Sequence, residues 1–131
     1  MVDLDIVTAI REVAAEDRGG WSAGARSDRV VELLAAREQL DAVLLAAVGE
    51  WDAAGDWALD GAVTAASWLT PRTTLSTPDA RALVRAARHV QANPMTAKAL
   101  AAAEMSTAQV QIAARAARRV EDLYADHETV I

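Results

Sequence analysis

Residues 75–90 read LSTPDARALVRAARHV, and residues 105–120 read MSTAQVQIAARAARRV. The offset is 30 residues without a gap, and seven of sixteen positions are identical. Each copy opens on Ser-Thr and carries a polar residue, Asp79 or Gln109, three places after the serine. That is the pattern of a capping box, in which the serine hydroxyl and the later side chain satisfy amides that a helix start leaves free. Pro78 suits a first helical turn, where its missing N–H is no loss. Ala80, Leu83, Val84, Ala87 and Val90 then recur at helical spacing, as do Val110, Ala113, Ala114, Ala117 and Val120. Two capped helices, each with one apolar stripe, are the expectation.

The flanks of the two copies are also alike. Thr64-Ala65 to Leu69 precedes the first, with Pro71 as a helix stop. Asn93-Pro94 ends the first copy, and a short helix through Ala103 precedes the second. Each unit is a short helix, a tight turn and a longer helix, so the tandem pair is a helical hairpin repeat. Upstream, Ser27 or Asp28 is placed to cap a long helix reaching Ala54. Its residues Leu33, Ala36, Leu40, Val43 or Leu44, Ala47 and Trp51 form a seam of alternating three and four spacing. Such a seam serves either internal bundle packing or dimerisation. Gly55 and Gly61 bracket a turn containing Trp57 and Leu59. A first helix over residues 2–16 carries Ile6, Val7, Ile10 and Val13 and is broken by Gly19-Gly20 and Gly24.

The expected fold is therefore all-α, a helical bundle with one long helix and two tandem helix-turn-helix-like hairpins. The parts of a single domain over 1–131 would be an N-terminal helix and loop (1–26), the long helix and turn (27–62), hairpin repeat one (63–92) and hairpin repeat two (93–125). Composition agrees. The chain has 131 residues, 53% of them hydrophobic, with 32 alanines and no Phe. Alanine is the strongest helix former, and the core has Trp51, Trp57 and Trp68 as its large anchors.

Charge is unevenly spread along the chain. Residues 1–70 hold five arginines and thirteen acids, residues 71–120 hold eight bases and only Asp79 and Glu104, and residues 121–131 hold four acids. A basic segment in an acidic chain either faces a polyanion or pairs with acids of its own fold. Arg81, Arg85 and Arg88 lie on one helix stripe at i, i+4 and i+7. Arg115 and Arg118 occupy the places of Arg85 and Arg88 in the second copy, and Arg119 is added. An Arg-Ala-Ala-Arg face thus stands on both long hairpin helices. A short helix, a turn and a capped helix with exposed arginines is also the outline of a helix-turn-helix. The candidate nucleic-acid contacts are Arg81, Arg85, Arg88, Arg115, Arg118 and Arg119.

Several chemistries lack their residues. There is no cysteine, so disulfides, thiolate metal sites and cysteine nucleophiles are excluded together. His89 and His127 have no metal-ligand partner at a usual spacing, and no Gly-rich phosphate loop is present. Carboxylate pairs such as Asp52/Asp56 and Glu12/Glu16 sit at i, i+4 and read as solvated faces. No catalytic set converges, so a non-enzyme without metal or small-molecule cofactor is expected. No secretion signal or membrane span is visible, which makes the cytoplasm the expected compartment.

The run Glu50-Trp51-Asp52-Ala53-Ala54-Gly55-Asp56-Trp57, then Asp60-Gly61-Ala62 and Ala65-Ala66-Ser67-Trp68-Leu69, resembles domain of unknown function 222, the 13E12-repeat group of actinobacteria. The similarity continues through Ala86-Ala87-Arg88, Pro94-Met95-Thr96 and Glu104-Met105-Ser106 and covers roughly residues 30–125. Members of that family often end in an HNH nuclease domain, with cysteine pairs and an Asp-His motif holding a metal; this chain departs there, with no Cys and no His cluster. The family's glycine before Glu104-Met105-Ser106 is Ala103 in this chain, a departure of small expected consequence. The resemblance implies a mobile-element or DNA-processing context. The expectation is a non-catalytic DNA-associating or positioning domain, here without the nuclease part. The alternative is a helical interaction domain that self-associates through its long helix.

Overall fold

The computed structural model describes the backbone of residues 5–129 and the side chains of residues 5–123. Both repeats start at the serine their sequences assign, though only the second forms the full reciprocal box. Ser76 accepts the Asp79 amide at 3.2 Å and starts α5, Thr77–Ala92, with Pro78 in its first turn. The Gln109 amide donates to the Ser106 hydroxyl (3.1 Å), and the Ser106 amide donates to the Gln109 side-chain oxygen (2.8 Å). This reciprocal box starts α7, Thr107–Thr129. The short helices before them are α4, Ala65–Leu69, closed by a Thr64/Ser67 capping box, and α6, Pro94–Ala101.

Upstream lie α1, Ile6–Ala14, a 3-10 turn at Arg18–Gly20, the long α2, Ala23–Ala54, and α3, Asp56–Leu59. All regular structure among the described residues is helical, and the chain is all-α. The long helix starts before the expected Ser27/Asp28 cap. Ser22 takes that role instead, its hydroxyl accepting the Ala25 amide at 3.1 Å. Gly55 and Gly61 take φ of 72° and 80° around α3, a backbone that glycine adopts without strain.

The chain divides inside α2 into two compact units, Met1–Ala35 and Ala36–Ile131. The sequence reading set its internal boundaries elsewhere, at 26/27, 62/63 and 92/93. In the first unit Asp5 caps α1 through the Thr8 amide (3.1 Å). Arg29 binds Glu16 and Glu32 and lies 5.7 Å from the Trp21 ring centroid. Ile6, Val7 and Ile10, the expected apolar stripe of α1, are all more than half exposed.

In the second unit α5 is the hub, packed by α4, α6 and α7. One cluster joins Leu45, Val48, Ala86, Ala87, Val90, Leu100 and Val110. The other joins Ala65, Ala66, Leu69, Ala80 and Val84, with Trp51, Trp57 and Trp68 packed against it. The rings of Trp51 and Trp68 meet at 5.1 Å, tilted by 58°, as aromatic pairs prefer. Ala80, Val84, Ala87 and Val90 are buried as expected, while Ala86 adds a position the stripe omitted. Val120, expected inside, is 51% exposed.

The expected seam of α2 is its packing face only at Trp51. Leu40, Val43 and Leu44 are exposed, and Leu45, Val48 and Gly49 are buried instead. Gly49 explains the rotation. A Cβ placed there would lie 3.1 Å from the Ala87 carbonyl oxygen and 3.0 Å from Oε1 of Gln91. The bare backbone of α2 therefore approaches α5 at this point, and Leu45, Val48 and Asp52 turn inward with it.

Candidate nucleic-acid interface

Burial of Ala80, Val84 and Ala87 fixes the rotation of α5 and carries the arginine stripe to one flank of that buried face. Because α7 packs along α5, this flank becomes one wall of a groove of about 790 Å³. Arg81, Arg85 and Arg88 line it from α5, and Arg118, Glu121 and Asp122 line it from α7. Arg115 and Arg119 are exposed on α7 but do not line the groove. The repeat thus brings Arg88 and Arg118 to the same groove and separates Arg85 from Arg115. Two helices packed on one another cannot both turn the same full stripe into the space between them.

One of the six arginines is taken by a carboxylate. Arg88 donates from Nε and Nη2 to the two oxygens of Asp52, at 2.8 and 3.0 Å. Trp57 Nε1 donates to the same carboxylate at 3.1 Å. These Arg88 hydrogen bonds hold the Asp52 carboxyl below the usual carboxylate range, against the opposing effect of burial. In return Asp52 raises the Arg88 guanidinium above its ordinary value. Arg88 stays 58% exposed at its side chain, whereas Asp52 is only 10% exposed. Arg88 is therefore both a strut from α5 to α2 and a cation on the groove wall. Among the described residues no other candidate arginine has a carboxylate oxygen within 4.0 Å.

Arg85 is distinct from the rest. It is partly buried, and its Nε is enclosed with no protein hydrogen-bond partner. Packing alone holds this guanidinium in the groove.

Sequence reasoning did not foresee the pairing of Asp52 with Arg88. Asp52 was read as half of a solvated Asp52/Asp56 pair, yet its position one turn after Val48 and Gly49 on the α5-facing side of α2 was the available signal. Glu121 and Asp122 were likewise read only as part of an acidic tail. His89 also lines the groove, beside Asn93. Among the described residues no group of three or more His, Asp or Glu side chains is placed to hold a metal ion. His127 lies outside the described side chains. No helix among the described residues is long and apolar enough to cross a membrane. Compared with known proteins, the chain matches no protein-family model, no curated protein and no solved structure.

Proposed function

We propose that the chain is a non-catalytic nucleic-acid-associating domain whose repeated arginine face contacts phosphates. The observation that carries this reading is that Arg81, Arg85, Arg115, Arg118 and Arg119 have no carboxylate partner among the described residues, although the chain as a whole is acidic. Phosphate contacts position a protein on nucleic acid without reading its sequence, which suits a face made of arginine and alanine. The resemblance to the 13E12-repeat group, many of whose members carry an HNH nuclease, suits the same reading, although no family model matches the chain.

A gel-shift titration across salt tests it. Binding at low salt that weakens steeply as salt rises is expected, since each phosphate contact releases counterions. Arg85→Ala with Arg115→Ala should weaken it by roughly tenfold or more, given that a hydrogen bond to a charged group contributes about 1.5–3 kcal/mol. Binding indifferent to that double substitution would remove the proposal.

A second reading rests on a separate observation. Leu40, Val43 and Leu44 form an exposed apolar run on α2 within the Ala36–Ile131 unit. Such a run favours self-association. Light scattering should then show a concentration-dependent dimer that Leu40→Lys with Leu44→Lys returns to monomer. A clean monomer of the unsubstituted chain at high concentration would exclude this second reading.

A further inference from the structure

The groove between α5 and α7 narrows what kind of nucleic acid fits, and this step rests on the nucleic-acid reading above. We infer that the groove holds one strand of a single-stranded phosphodiester backbone and excludes duplex DNA. The major groove of B-DNA is about 12 Å wide and admits a single helix. One α-helix with its side chains is already about 10–12 Å across. Two packed helices, with axes 8–10 Å apart, are together about 20 Å across. With α7 packed along it, α5 does not project as a lone recognition helix would. Its arginines lie in a valley, not on a ridge.

A duplex also carries its phosphates on the outside of a stiff rod, which cannot settle into a concavity of about 790 Å³. A single strand is flexible enough to lay one run of phosphates along the groove. Arg85 then meets a phosphate oxygen from one wall and Arg118 from the other, with Arg81 on the next phosphate. Arg88 has two of its donors engaged by Asp52 and contributes mainly its charge. Glu121 and Asp122 line the same groove and repel a phosphate there. They limit affinity and disfavour the denser charge of a duplex. Among the described residues no Trp, Tyr or Phe lines the groove and His89 is the one aromatic ring there, so base stacking is limited and recognition is tolerant of sequence.

Fluorescence anisotropy of labelled 12-nucleotide oligothymidylate, oligouridylate and a 12-base-pair duplex, at protein concentrations up to about 100 µM, tests the inference. Both single strands should bind at 50 mM salt, with the duplex at least about tenfold weaker, a difference of 1.4 kcal/mol. Three phosphate contacts on a single strand give a log–log salt slope of about −2, so affinity falls roughly twentyfold between 50 and 200 mM. Arg85→Ala with Arg118→Ala should abolish strand binding and so weaken it far more than Arg115→Ala with Arg119→Ala, whose side chains lie outside the groove. Glu121→Gln with Asp122→Asn should tighten it by about threefold to tenfold. That gain cannot arise from misfolding. A duplex that binds as tightly as the strands, and that depends on Arg115 and Arg119, overturns the groove assignment and leaves nucleic-acid association standing. Absence of binding to all three probes overturns both.

Discussion

At single residues, two positions tie the chain's chemistry to its stability. Asp52 accepts three hydrogen bonds, two from Arg88 and one from Trp57. Its carboxyl titrates lower in the folded chain than in the unfolded one. The unfolded state therefore binds the proton first as pH falls, and the folded state loses stability on the way down. The contribution is fully present above the unfolded carboxylate value of about 4 and disappears as pH drops through the folded value. Because Arg88 is 58% exposed, solvent screens the pair, and Asp52→Asn should cost only about 1 kcal/mol at neutral pH. Chemical denaturation of the variant below pH 4 should show a smaller loss of stability with acid than the unsubstituted chain. An identical acid limb in both would show that Asp52 is not the responsible group. Ala103 is the second position. It takes φ of 59° in the turn between α6 and α7, a left-handed backbone that opposes any Cβ. Glycine adopts that backbone without strain. Ala103→Gly should stabilise the chain by about 0.5–1 kcal/mol, read as a raised denaturation midpoint. No gain would mean that the turn relaxes once the unfolded state is made more flexible.

At the scale of elements, the helix starts of both repeats were legible in the sequence because their signals are local. Ser76, Ser106 and Thr64 cap the helices their spacing assigned to them, and Asn93-Pro94 separates α5 from α6. The rotation of α2 was not legible, for a physical reason. Large apolar residues at three and four spacing marked a seam through Leu40, Val43 and Leu44, yet packing is governed by where a backbone can come closest. Gly49 decides that, and a glycine has no side chain for a periodicity to register. Gly49→Ala tests the point. Helix propensity alone would favour alanine by about 1 kcal/mol. Overpacking against the Ala87 carbonyl costs about 1–3 kcal/mol. The substitution should therefore lower stability by about 1 kcal/mol, measured by urea unfolding. A stabilised variant would contradict the close approach of α2 to α5. The candidate site was half legible in the same sense. The arginine stripe of α5 follows from i, i+4 and i+7 spacing, but its facing wall depends on how α7 packs. No short-range pattern announces that Arg118, Glu121 and Asp122 complete the groove while Arg115 and Arg119 stay outside it.

At the scale of the molecule, the question raised by the charge distribution was whether the basic segment is consumed by the acidic one. Among the described residues, the arginines of residues 71–120 meet the acids of the first seventy at a single ion pair, Arg88 with Asp52, inside the Ala36–Ile131 unit. Five guanidinium groups of the repeated face are left without a carboxylate among those residues. A net charge of −6 works against long-range attraction of a polyanion. Association must then come from short-range contacts at the arginine face, which makes its ionic-strength dependence diagnostic. The most direct test is the affinity for labelled oligothymidylate between 50 and 200 mM salt, measured with and without Arg81→Ala, Arg85→Ala and Arg118→Ala combined. The account expects binding that falls steeply with salt in the unsubstituted chain and is lost in the triple variant. Binding that is flat across salt, or unchanged when those three arginines are removed, would contradict it.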